Sequence, residues 1–192
     1  MQNRDRPVLG FASAADWEAW LAENGAASAG LGLKIGKRGA SEPGVTYDEA
    51  LDVALCHGWI DGQKNPFDEE SWLQRFTPRR PGSKWSRRNR DKATDLIVQG
   101  RMRPAGLREV EAARADGRWE AAYAGSSTIE VPDDLRHALE ANPAARDFFA
   151  TLDRTNRYAI LYRVEDAKRP ETRARRIATF VAMLAEGKKL HP

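Results

Sequence analysis

The chain has 192 residues, of which 41% are hydrophobic and 31% charged, with a formal charge of +3. This length and mixture suit one large or two small globular domains with a buried core, and they exclude a disordered chain. So small a charge excess does not by itself imply nucleic acid or membrane binding, and a single cysteine, Cys56, rules out an intrachain disulfide and a cysteine-rich zinc site.

The opening segment Met1–Pro7 is polar and leads into no apolar stretch of the kind an export signal needs. No uninterrupted apolar run is long enough to span a bilayer. The expectation is a cytoplasmic protein without membrane insertion. The histidines, His57, His137 and His191, are not spaced as a metal pair, so neither a metal site nor a cofactor is expected.

In chain order, Ser13 with Asp16 reads as a helix start, and Trp17, Trp20 and Leu21 make one apolar face before Asn24-Gly25 ends it. Leu31 to Ile35 alternates apolar residues with glycine or lysine, which is strand periodicity. Gly39 to Gly44 is a loop. Thr46 and Glu49 form a second capping box, opening a helix that carries Leu51 and Leu55 and that Gly58 stops. Asp61-Gly62 predicts a turn within Trp59–Gly62. Asp68 to Glu70 is an acidic loop, and Trp72 to Phe76 is a strand ended by Pro78, apolar enough on both faces to lie inside a sheet.

Ser83 or Ser86 is expected to cap a helix running to about Gly100, and Pro104 to open another that stops near Gly117. After a Gly/Ser/Thr loop at Gly125–Thr128, Pro132 begins a second half of three helical stretches. The first carries Leu135 and Leu139. The second carries Phe148, Phe149 and Leu152 and continues past Thr155 to Ile160 and Leu161. The last carries Ile177, Phe180, Val181 and Leu184 before Gly187. The fold class predicted is α+β: a small sheet with packed helices over residues 1–125, followed by a helical unit over residues 131–192.

The densest chemistry lies between Arg75 and Lys92, with eight basic residues against one acidic residue, Asp91. Pro78 and Pro81 restrict Arg79 and Arg80 between them. The helix start beyond them offers free N–H groups to an anion, and arginine adds bidentate geometry for phosphate or carboxylate. The segment reads either as an anion site or as a solvated basic face with local acid partners. Trp85, Asn89, Ala93 and Leu96 share one helical stripe, so Asn89 should be buried and bonded to the main chain near Trp59–Gly62 or Thr77. Asp61 reads as a turn residue or a general base. Cys56 and His57 are adjacent on a helix, where their side chains diverge, so Cys56 reads as a small buried hydrophobe. The candidate ligand-binding set is Trp59, Asp61, Arg75, Arg79, Arg80, Lys84, Trp85 and Asn89, with Arg79, Arg80 and the helix start near Trp85 bordering one depression. A second basic patch, Ala167 to Arg176, reads as a charged first turn over a core-facing stripe.

The blocks VTYDEALDVALCHGWIDGQK (Val45–Lys64), WLQRFTPRRPGSKWSRRN (Trp72–Asn89), VPDDLRHALEANPAARDFFATL (Val131–Leu152) and AKRPETRARRIATFVAMLAEG (Ala167–Gly187) resemble the YdeI/OmpD-associated, or bacteriocin-protection, family. His57 stands where that family more often has an aromatic residue. The resemblance implies a part in resisting bacteriocins or antimicrobial peptides, and in some members association with an outer-membrane porin. It implies no reaction and transfers no catalytic residue. Taken with the basic segment, it points to a non-enzymatic resistance protein that binds an anionic small molecule or partner. The alternatives are an enzyme using Asp61 and the arginines on a phosphorylated or carboxylated substrate, and a nucleic-acid binder. The latter is disfavoured because it needs both basic patches on one face with exposed aromatics.

Overall fold

The computed structural model describes residues 6–42 and 44–192. Residues 1–5 of the segment read as free of an export signal, and Pro43 of the Gly39–Gly44 loop, lie outside the described residues. The fold is α+β. The chain divides into two compact units, Met1–Trp85 with Asn89–Ala121, and Ser86–Arg88 with Ala122–Pro192.

The first unit is built on a four-stranded sheet: β1 (Val8–Leu9), β2 (Leu31–Gly36), β3 (Trp59–Pro66) and β4 (Ser71–Pro78), in the order β1-β2-β4-β3. The first pair is parallel and the others antiparallel. The short β1 has no signal in the sequence pattern, because two residues show no period. β4 lies inside the sheet, as its two apolar faces require.

Alternation decides which side chains face inward. Leu31, Leu33 and Ile35 on β2 and Gln74 and Phe76 on β4 are buried. Their neighbours Gly32, Leu73, Arg75 and Thr77 stay half-buried on the opposite face, where Lys34 is exposed.

The inward face meets α1 (Ala14–Asn24) and α2 (Tyr47–Cys56). Ser13 caps α1 by accepting from Asp16 N, and Thr46 with Glu49 closes both halves of the capping box on α2. Trp17 is wholly buried between them. Its ring stands edge-on to Trp59 at 6.0 Å and tilted to Phe76 at 5.8 Å, and its Nε1 donates to Ala50 O at 3.1 Å. One side chain thus joins α1, α2, β3 and β4. Gly58 ends α2 with φ +75°, a left-handed conformation that glycine adopts without strain.

The expected turn at Asp61-Gly62 is not one. Both residues lie within β3, where the pairing with β4 slips between Asp61 and Lys64. Trp59 and Ile60 pair with Pro78 and Thr77, so the strand is already committed when it reaches Asp61. The glycine marks a strand irregularity instead. The chain reverses at Phe67–Glu70, the acidic loop, where Lys37 Nζ donates to the carbonyls of Asp68 and Glu69.

Helix α3 (Arg87–Val98) buries Asn89, Ala93 and Leu96. Its Lys92 reaches Asp52 on α2 at 2.7 Å. Helix α4 (Pro104–Ala115) has proline in its first turn and is followed by the left-handed Gly117.

The second unit contains four helices where the sequence pattern suggested three stretches: α5 (Asp133–Glu140), α6 (Pro143–Thr151), α7 (Arg154–Glu165) and α8 (Pro170–Ala185). The run through Phe149 and Ile160 is broken at Leu152-Asp153. Leu152 is extended, and Asp153 accepts from Asn156 N as the cap of a new helix. The apolar period continues across the break, so hydrophobicity alone hides it. Leu135, Leu139, Phe149, Ile160, Leu161, Ile177, Phe180 and Leu184 form the core of this unit. The buried Asn156 exchanges hydrogen bonds with the His191 main chain. In the second basic patch, Arg173 forks onto Asp134 and Arg176 donates to the Arg163 carbonyl.

Replacing Trp17 by alanine removes the ring that joins four elements. Urea denaturation should show a loss of about 3–5 kcal/mol; a loss under 1 kcal/mol would mean that the aromatic cluster is not the centre of this core.

Candidate functional site

Side chains from Trp59 to Asn89 fall into three clusters of the first unit, with Trp59 itself in the core, 2% exposed. The first cluster forms around Asp61, which points to the helix-covered side of β3. The Tyr47 hydroxyl, in the first turn of α2, donates to Asp61 Oδ2 at 2.9 Å. Asn89 Nδ2, one turn into α3, donates to Oδ1 at 3.1 Å. Both carboxylate oxygens are therefore engaged, and β3, α2 and α3 are tied at one point. Asn89 is buried, as its stripe predicts, and its donor reaches a charged acceptor. Tyr47 was not foreseen; it is the only aromatic residue in that capping turn, and no pattern linked it to Asp61.

The second cluster is internal packing. Arg79 is 6% exposed, and its guanidinium lies 3.5 Å above the centre of the Trp85 ring. Arg79 Nη1 donates to Lys84 O at 3.3 Å, and its main-chain N donates to Gly58 O at 2.9 Å. Trp85 in turn meets Trp119 edge-on at 4.9 Å. The prolines around Arg79 and Arg80 fold this loop back on itself; Arg80 N donates to Ser83 Oγ, so Ser83 serves a turn and not the helix. Arg80 and the Lys84 side chain remain exposed.

At the start of α3, Ser86 bridges Tyr123 and Arg87 N donates to Tyr123 O at 2.8 Å. One of the main-chain donors expected to await an anion is therefore taken by the protein's own carbonyl.

The third cluster is electrostatic. Arg75 stands on the outer face of the sheet, opposite Gly32 on β2. On its other side lies Gly62, where an added Cβ would meet Arg75 Cδ at 3.3 Å, so the arginine stem rests across a bare backbone. Neither neighbouring position carries a side chain, and this strip of glycine backbone, bordered by Leu73 and Val8 at Gly32, is the Arg75 trough. Burial, then the nearby charges of Arg6 and Arg80, pull the Arg75 guanidinium below the ordinary arginine range. Among the described residues, no carboxylate lies within ion-pair distance of Arg75, Arg80 or Arg6. Nη1 of Arg6 is buried without a hydrogen-bond partner. Arg6 carried no sequence signal, being a lone cation in a polar stretch.

By their contacts among the described residues, the candidate residues fall into separate groups. Arg79 and Trp85 pack together, Asp61 and Asn89 bond to each other, and Arg75 and Arg80 join Arg6.

Residues 9–109 match the family model described as a domain of unknown function, DUF8412, and residues 128–187 match the one described as bacteriocin-protection, YdeI or OmpD-associated. The chain belongs to the DUF8412 family and carries a YdeI/OmpD-associated domain. Searches of the curated proteins and of the solved structures found no match. The blocks Val131–Leu152 and Ala167–Gly187 lie in the YdeI/OmpD-associated stretch, and Val45–Lys64 and Trp72–Asn89 lie in the DUF8412 stretch. All three clusters, Arg6 aside, therefore draw on DUF8412 residues and their flank.

Within that DUF8412 stretch, Cys56 is buried, and burial pushes its thiol up to about 11. The neighbouring His57 imidazole is lowered by burial, against the pull of Glu18 at 3.9 Å. Among the described residues, no group of three or more His, Cys, Asp or Glu side chains is placed to hold a metal ion.

Asn89→Leu should cost about 1–3 kcal/mol in denaturant unfolding, since it strands the Asp61 carboxylate. An unchanged midpoint would show the bond to be idle. Cys56 should react with a thiol reagent only as fast as the protein opens, because burial covers the sulfur and keeps the thiol protonated at neutral pH. Stoichiometric labelling within seconds under native conditions would overturn that reading.

Proposed function

We propose that this protein is a non-enzymatic bacteriocin- or antimicrobial-peptide-resistance protein of the cytoplasm, and that it works by binding an anionic small molecule or partner on the outer face of its sheet. The observation that carries this reading is the Arg75 trough. Three guanidinium groups approach one another, Arg75 lies between two glycines, and no carboxylate among the described residues neutralises them. Like charges held together cost stability, and a bound anion removes that cost. Several other arginines of the first unit are matched: Arg103 to Glu18, Arg118 to Asp116, and Arg79 to the Trp85 ring.

The other candidate residues support the trough from behind. Trp59 fixes β3 in the core, while Asp61 and Asn89 hold β3 against the helices. Both Asp61 oxygens already accept hydrogen bonds, which favours a structural carboxylate over a general base. The strand positions of the outer face carry Val8, Ile60, Leu73 and Thr77, and Phe67 beneath Lys34 is a single ring, which disfavours stacking of successive nucleic-acid bases. A cationic peptide would be repelled by this face, so resistance by direct capture is the poorer account.

Arg75→Met keeps the aliphatic stem over Gly62 and removes the charge. In low salt this variant should be as stable as the parent or more stable, by up to about 1 kcal/mol, with the difference shrinking as salt rises. It should also lose any thermal stabilisation that pyrophosphate gives the parent, and fail to protect cells challenged with a bacteriocin. Full protection by a folded Arg75→Met variant would end this proposal.

A further inference from the structure

A second cleft lies at the hairpin end of the sheet, away from Arg75, and none of its residues belongs to the clusters described above. It has a volume of about 470 Å³ and is lined by Gly36, Lys37, Arg38, Lys64, Pro66 and Trp72. The size is within the range of small-molecule sites. Its composition is unusual in a chain whose acidic and basic residues nearly balance: three cations, one indole, one proline and one glycine, with no carboxylate in the lining.

Each cation is held differently. Lys37 is anchored by the carbonyls of Asp68 and Glu69 at 2.8 and 2.9 Å, which use two of its three donors and fix the ammonium at the rim. Arg38 follows it in the turn after β2, exposed and with no acidic partner among the described residues. Lys64 lies over the face of Trp72, with Nζ 4.0 Å from the ring centre. Trp72 is half-buried and Lys64 exposed, and a cation held on an aromatic face at the surface is weakly held, so it can leave for an anion at small cost. Trp72 is itself steadied from behind by Tyr47, whose ring centre is 5.8 Å away. Two of the three acids in the loop are turned to other partners, Asp68 to Ser71 and Lys34 and Glu70 to Ser41, and the third, Glu69, is exposed and not part of the lining.

We propose that this cleft binds a small anion carrying a flat ring, of which a nucleoside monophosphate is the simplest representative. The ring stacks on Trp72 in the place Lys64 vacates. The phosphate lies between Lys64 and Arg38, within reach of the remaining Lys37 donor. Neither half of the ligand suffices. The ring alone leaves three cations unmatched, and the anion alone leaves the indole face bare once Lys64 has moved. Stacking of a base on an aromatic side chain is worth roughly a five- to hundredfold gain in affinity. The site is independent of the Arg75 trough.

The test is calorimetric titration of the full chain with AMP, adenosine and inorganic phosphate. AMP is expected to bind saturably and at least about fivefold more tightly than phosphate or adenosine. Lys64→Ala and Arg38→Ala, both at exposed positions, should each weaken AMP binding several-fold, while Arg75→Met should leave it unchanged. AMP that binds no better than phosphate, or binds the Lys64→Ala and Arg38→Ala variants as well as the parent, overturns the proposal. So does a loss of AMP binding in Arg75→Met, which would place the ligand in the other site.

Discussion

Burial of Phe76 against Trp17 is the constraint on which the first unit depends. A strand sends successive side chains to opposite faces, so placing Phe76 in the core commits Gln74 inward and Arg75 and Leu73 outward. The same commitment passes through the ladder. Leu31 pairs with Phe76 and is buried, and Gly32 pairs with Arg75 and is not. A slip of one residue would bring the Arg75 guanidinium under Trp17 in place of an apolar ring, a costly burial. The register of the core and the position of the Arg75 cation are therefore one decision.

The arginines show how one residue type can serve opposed ends. Arg79 is buried, but its flat guanidinium lies on Trp85 and donates to a carbonyl, so its burial is matched by contacts that a lysine could not reproduce. Arg173 is fixed by a forked bond to Asp134 and stitches α8 to α5. Arg75 has neither arrangement. It lies over a glycine backbone with two other guanidinium groups nearby. Residues that satisfy their own fold have little reason to bind anything else. An unsatisfied cluster has its interaction capacity in reserve, which is why the trough, and not the most basic stretch of sequence, is the functional candidate.

The second unit is organised by breaks as much as by its core. Asn142 caps α6, Asp153 caps α7, and Pro170 opens α8. Each break lets a short helix turn its apolar side toward α8, whose Ile177, Phe180 and Leu184 lie at the centre. Asn156 then secures the segment that follows α8 through paired bonds to the His191 main chain. The match over residues 128–187 falls within the second unit, and that over residues 9–109 within the first apart from Ser86–Arg88.

Local signals were legible in the sequence wherever the cause was itself local. The caps at Ser13 and Thr46, the stop at Gly58 and the proline at Pro104 all act within a turn of helix, and the structure contains each of them. The stripe of Trp85, Asn89, Ala93 and Leu96 is likewise a matter of spacing, and all four are buried. The inertness expected of Cys56 followed from its helical neighbours, and its burial agrees with that expectation. The YdeI/OmpD-associated resemblance was legible in its two later blocks, Val131–Leu152 and Ala167–Gly187, because they are contiguous, whereas the two earlier blocks fall in the DUF8412 match, which the sequence reading did not name. What tertiary structure alone decided were the competitions. Asp61-Gly62 has the chemistry of a turn, yet pairing of Trp59 and Ile60 with β4 carried the strand through it. The apolar period from Phe149 to Ile160 could not reveal that Asp153 divides it. The basic run from Arg75 to Lys92 gave the charge but not its direction. Alternation turned Arg75 outward, Trp85 drew Arg79 inward, and Arg6, nearly seventy residues earlier, came to stand near Arg75. Such distributions depend on which distant groups share a face, and a linear sequence holds the candidates without their distances.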